Sequence, residues 1–337
     1  MDIYAVDSKS VCRVVDEFLP EYTDQEPIRE ANMHTNMHTN MHTNMHTNMH
    51  TNIRHIVISG GGTMGFAYYG ILQESNKQNL WNIEHIQTIY GTSIGAILST
   101  ILCLRYDWNT LDDYFIQRPW EKVFHYDLHM LFSCVQNNGI FTRTVTEQIL
   151  KPLLLGKDIL PTVTMAEFFQ KTGIELHVMV TNVNVFEHVD VSYKTHPDWS
   201  LVDAVHSSCA IPLLFKPICI DGIMYCDGGF CVNYPLKQCI ENGANPDDVF
   251  GIQNTGIDNE EIDTTMFSLF DYIIHLLNKM LEKIATTAEC KIRHLFVVPP
   301  DRRSLTNIKN VAEKRSEREE LINAGVELFR AQYDPIK

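Results

Sequence analysis

A chain of 337 residues, 45% of them hydrophobic and 20% charged, carries enough apolar surface to bury a sizeable core, and it is expected to be globular. Its 42 acidic against 27 basic side chains leave a formal net charge of -15. That balance opposes nucleic-acid binding and polybasic docking on anionic lipid, so any lipid contact has to be local and apolar.

The first 31 residues form an acidic segment too short for a core of its own, without the basic and then apolar blocks of a signal peptide. The nine cysteines are scattered with no Cys-x-x-Cys pair, so a reducing setting is expected, in the cytoplasm or peripheral at intracellular membranes. Asn32 to Thr51 then writes Asn-Met-His-Thr five times. A four-residue period would align His34, His38, His42, His46 and His50 on one helix face as a metal site. Asn, Thr and His are poor helix formers and no apolar stripe accompanies them, so residues 32–52 are expected to be a disordered linker.

From residue 53 to 337 the pattern predicts one folded domain. Ile53 to Ser59 reads as a buried strand feeding Gly60-Gly61-Gly62, Met64 to Lys77 as a helix, Ile86 to Tyr90 as a strand and Ile94 to Arg105 as an apolar helix. The longest apolar window, Ile94 to Leu104, falls short of the ~20 residues a bilayer span needs, so no transmembrane segment is expected. Helices are predicted at Phe141 to Leu155 and Met165 to Lys171, strands at Ile174 to Val183 and His188 to Tyr193, and a short helix at Ser200 to Ser208. A strand or hairpin at Ile218 to Tyr225 follows, then strands at Val249 to Gln253 and Lys291 to Val298. Two amphipathic helices, Thr265 to Ile284 and Ile308 to Gln332, complete the pattern. The first is wide enough in its apolar arc to suit core packing, with an interfacial role as the alternative. Lys309, Lys314, Arg315 and Arg318, interleaved with glutamates, are expected on a solvated, ion-paired face. Strands separated by helices imply an α/β fold, a three-layer sandwich with a mostly parallel central sheet.

Three motifs carry chemistry. Gly60 to Gly65 fits a phosphate-gripping turn or a row of backbone donors for an oxyanion. The dinucleotide reading lacks its acidic residue at the end of the next strand, since Glu84 precedes that strand, and a P-loop lacks its Lys-Ser/Thr. Gly91-Thr92-Ser93-Ile94-Gly95 stands between strand and helix, the context of a nucleophile elbow. The order Ser, acid, His of α/β-hydrolases would call on His275 or His294, yet one sits in an apolar run and the other in a strand. Cys226-Asp227-Gly228-Gly229 offers another base, a carboxylate on an open glycine turn.

Together these motifs resemble a patatin-like phospholipase domain over about residues 56–236. The stretch Ser207 to Pro217 is similar to the Ser-x-Ala-x-Pro-x-x-Phe-x-Pro pattern leading into that family's aspartate, and Asn233 and Pro235 fit its Asn-x-Pro ending. The resemblance implies Ser93 as nucleophile, Asp227 as proton acceptor, Gly60, Gly61, Gly62 and Gly65 around the oxyanion, Gly91 and Gly95 in the elbow and Gly228 and Gly229 in the aspartate turn. It implies cleavage of acyl esters of phospholipids or related lipids with no metal, no cofactor and no catalytic histidine, transient membrane contact and no nucleic-acid partner. Met64 stands where the family usually carries Arg or Lys, a loss of charge that would either weaken phosphate recognition or shift substrate choice toward neutral lipids. The same scaffold and site would also serve an acyltransferase or a non-catalytic lipid-binding protein.

Overall fold

In the computed structural model the described residues are 52–127, 130, 134, 136, 138–254, 272–273, 275–277, 279–280, 291–299 and 305–333. The expected acidic segment and all but the last residue of the repeat linker lie outside them, as does most of the expected helix Thr265 to Ile284. The strands are β1 (His55–Ile58), β2 (Thr88–Thr92), β3 (Glu175–Asn182), β4 (Glu187–Val191), β5 (Ile218–Ile220), β6 (Ile223–Asp227), β7 (Val249–Asn254) and β8 (His294–Val298). Between them run α1 (Gly65–Lys77), α2 (Ile94–Cys103), α3 (Trp108–Asp112), α4 (Arg143–Leu155), α5 (Met165–Thr172), α6 (Leu201–Cys209), α7 (Leu236–Glu241), α8 (Leu305–Glu313) and α9 (Arg315–Gln332).

Local sequence explains several boundaries. Thr164 and Glu167 form a capping box that starts α5, and Gly173 in the left-handed conformation ends it. Asp221-Gly222, both at positive φ, closes the β5–β6 hairpin. β2 begins later than expected and runs through Gly91 to Thr92, so the first two elbow residues belong to the strand.

Parallel pairing joins β8, β7, β1, β2 and β3 in that order, while β4 and β6 lie antiparallel to β3 and β5 antiparallel to β6. Side chains alternate across this mixed sheet. Ile56 and Ile58 enter the large core with α1, α2, α4 and α6, whereas Val57, Tyr90 and Met179 meet Leu236 and Cys239 of α7 on the opposite face. The result is the expected α/β layering with a mostly parallel centre. Among the described residues no helix is long and apolar enough to cross a membrane.

One expectation needs correction. Ile308 to Gln332 is two helices, α8 and α9, broken at Lys314, whose backbone is extended. α9 lies on α1, with Gly70 against the Ile322 carbonyl and Gly325 against the Ala67 carbonyl, an approach that any Cβ would block.

Candidate active site

Ser93 sits between β2 and α2 at φ 57, ψ -123, a strained backbone conformation of the kind a nucleophile elbow enforces. The turn is tight enough that a Cβ on Gly95 would strike the carbonyl oxygens of Ile58 and Ser59, and one on Gly91 the carbonyl of Gly95. The flanking glycines are therefore required by the approach of α2 to β1 and β2. α2 begins immediately after Ser93, so its positive end lies beside the serine.

β3 brings the second motif to the same place. Its residues 175–179 pair with β2, ending at Thr92 opposite Met179. Its next residue, Val180, pairs with Asp227, the last residue of β6. Because β4 holds the other edge of β3 over 178–182, β2 and β6 must share one edge and meet end to end. Ser93 follows one tip and Asp227 is the other. Asp227 is buried, and its carboxylate accepts the Gly229 N–H at 2.7 Å. A Cβ on Gly228 would run into the Met179 carbonyl, so that glycine lets the aspartate turn lie flat on β3.

Hydrogen bonds tie the motifs together. Ser208 Oγ accepts the Ser93 N–H at 2.8 Å and donates to the Met179 carbonyl at 2.6 Å. Thr92 Oγ1 donates to the Val232 carbonyl at 2.9 Å, and Gly60 N–H to the Asn233 carbonyl at 3.1 Å. The Gly60 amide is thereby committed to Asn233. Gly65 N–H is likewise turned back to the Gly62 carbonyl as the end of a short helical turn. Gly62, at φ 58, and Gly61 are the remaining glycines of the loop, with the Tyr68 hydroxyl packed under Gly61.

A cavity of ≈ 150 Å³ opens from Ser93. Phe115, Trp120, Ile149 and Leu214 line it from the body of the domain, and Ile308, Val311 and Ala312 of α8 form a further wall. Among the described residues no Lys, Arg, His, Asp or Glu lines it. Met64 is buried in the core beside it.

Sequence reasoning missed two residues here. Cys209 lines the cavity, and burial pushes its thiol well above the ordinary range; the Asp227 charge adds to this and a hydrogen bond with Ser93 opposes it. One thiol therefore neighbours both residues of interest, and its only sequence signal was its place beside Ser208. Arg318 is the second and corrects the expected solvated face: it is buried. Its guanidinium donates to the Val311 and Ala312 carbonyls at 2.8 and 3.0 Å and to the Ile116 carbonyl at 2.8 Å. It thus caps α8 and holds that wall to the segment bearing Phe115. Lys309, Lys314 and Arg315 do pair on the surface, with Glu313, Glu317 and Glu319.

Two of the rejected candidates, His294 and Glu84, lie elsewhere. His294 begins β8, beyond β1 and β7 from β2, and pairs with Phe250 near the opposite end of the strands. Glu84 is bound to Arg105 at 3.0 Å on the surface.

With this geometry in view, the sequence signature of patatin-like phospholipases matches residues 56–240, and the chain belongs to that family. It is 28% identical over 228 residues to the probable lipid hydrolase 463L of Invertebrate iridescent virus 6, covering 65% of this chain and 72% of that protein. It is 29% identical over 167 residues to the triacylglycerol lipase ptl3 of Schizosaccharomyces pombe, covering 48% of this chain and 33% of the lipase. Among solved structures, VipD of Legionella pneumophila aligns with 81% of this chain and 67% of its own at 14% identity and a TM-score of 0.44.

Proposed function

We propose that this protein is a lipid acyl hydrolase that cleaves fatty-acyl esters through a Ser93–Asp227 dyad. The observation that carries this reading is the end-to-end meeting of β2 and β6 on one edge of β3, with the elbow serine at one tip and the buried aspartate at the other. In this mechanism Asp227 takes the Ser93 hydroxyl proton as Ser93 Oγ attacks the ester carbonyl. The Gly61 and Gly62 amides and the start of α2 stabilise the oxyanion, the alcohol leaves with the proton, and an acyl-enzyme remains. Water, deprotonated by the same carboxylate, then releases the fatty acid.

The apolar cavity suits the acyl chain. The lack of a cationic lining residue among the described residues and the burial of Met64 favour a neutral acylglycerol over a phospholipid, in keeping with the name of the yeast relative. Incubating the full chain with labelled triacylglycerol, phosphatidylcholine and lysophospholipid, with and without chelator, tests this. Fatty-acid release should be fastest from the neutral lipid, independent of chelator, and lost in Ser93→Ala and Asp227→Asn. Unchanged release and unchanged fluorophosphonate labelling in both variants would exclude the dyad, and acyl transfer to an added alcohol in place of free acid would identify a transacylase.

A further inference from the structure

Nine large apolar side chains are exposed among the described residues, and four of them, Val183, Val185, Phe186 and Met224, belong to one place. The first three form the turn between β3 and β4, and Met224 lies beside them on β6. Val183 N–H donates to the Met224 carbonyl at 2.9 Å, and Met224 N–H donates to Asn184 Oδ1 at 3.0 Å. The Cys231 thiol, four residues beyond Asp227, donates to the Phe186 carbonyl at 3.6 Å.

The conformation of Phe186 is as telling as its exposure. It stands at φ 56, in the left-handed region where glycine or asparagine is at ease and a bulky side chain is strained. Phe186 is 57% exposed and its neighbour Val185 is 61% exposed, so burial within this fold does not compensate the strain. Strain held at an exposed aromatic directs attention to a partner.

The location and charge of the turn define that partner. β3 passes Asp227 at Val180 and reaches Val183 about 10 Å further on, at ~3.3 Å per residue, so the turn projects from the end of the sheet that holds Ser93 and Asp227. Residues 182–188 and 218–225 contain Glu187 and Asp221 and no lysine or arginine. An anionic membrane would repel this tip, and a second copy of the chain would set its carboxylates against their own kind. An uncharged or zwitterionic lipid surface accepts it, with apolar tips entering the interface and carboxylates staying in water. We propose that Val183, Val185, Phe186 and Met224 form the site by which this protein sits on such a surface, bringing the Ser93 end of the sheet to the lipid. The inference rests on the hydrolase reading for its purpose.

Flotation of the full-length Ser93→Ala protein with phosphatidylcholine vesicles tests docking without turnover. The protein should float with the vesicles to the same extent at low and high salt. Phe186→Gly removes the ring and the strain together, so it should melt no lower than its parent yet float several-fold less, and Val185→Ser added to it should lower binding further. In the Ser93 background, Phe186→Gly should slow hydrolysis of vesicle lipid while sparing a soluble short-chain ester. Equal flotation of parent and variants, no flotation of the parent, flotation only with anionic lipid, or a concentration-dependent dimer that Phe186→Gly abolishes would each overturn the proposal. Docking without hydrolysis of any ester would instead defeat the hydrolase reading.

Discussion

The backbone N–H of Ser93 is held by the hydroxyl of Ser208, which is itself held by the carbonyl of Met179 on β3. The strained elbow is thus fastened to the same strand that pairs with Asp227. Ser208→Ala leaves a buried amide and a buried carbonyl without their hydroxyl, a loss of about 1–3 kcal/mol. Under the proposed mechanism that loss falls on Ser93, so kcat should drop roughly tenfold or more with KM for a soluble ester nearly constant. Steady-state kinetics with a circular-dichroism melt distinguish this from simple unfolding, which would lower active enzyme concentration and leave the fluorophosphonate labelling rate of folded protein unchanged.

Gly95→Ala should act on the fold itself. Its Cβ would be driven into the Ile58 and Ser59 carbonyls, which β1 cannot withdraw without losing its pairing to β2 and β7. A loss of about 3 kcal/mol or more is expected, read as a lower urea midpoint.

Ala312→Phe places a ring on the α8 wall of the cavity. Long acyl chains should suffer more than short ones, so kcat/KM for a p-nitrophenyl palmitate should drop roughly tenfold relative to the butyrate. An unchanged ratio would show that acyl chains do not run along α8.

His177 supplies a pH dependence away from the site. It is buried on β3, stacked on Tyr90 and hydrogen-bonded to Asp190 at 2.8 Å, with Glu175 at 3.3 Å and Lys194 on the far side of Glu175. Burial opposes its charge, but the hydrogen bonds and charges of Asp190 and Glu175 prevail and hold its pKa above the ordinary 6.5. A folded-state pKa raised in this way contributes stability that is complete below 6.5 and is lost as pH rises through the folded value. The urea midpoints of wild type and His177→Gln should therefore converge as pH is raised from 6.5 upward; a constant gap would show that the imidazolium is not the stabilising form.

Much of the geometry of the candidate site was legible because its signals are local. The glycines of the elbow are fixed by a turn five residues long, and Asp227 by the glycines that follow it, so motif spacing was enough to find them. That the Gly60 amide is claimed by Asn233, 173 positions away, was not legible in the motif. Arg318 looked like one more surface cation because its helix alternates charge. Its burial follows from carbonyls at 116, 311 and 312, whose convergence no helical period reports.

The order of motifs, the alternation of strands and helices, the family and the acidic charge balance were all determined by the sequence by itself, since each depends on residue type and short spacing. Only the tertiary structure decided that β2 and β6 share an edge of β3, that α8 walls the cavity and that an exposed, strained Phe186 stands at the same end as Ser93. Those relations are set by strand register and by packing between distant segments, where the favourable choice depends on which surfaces bury one another.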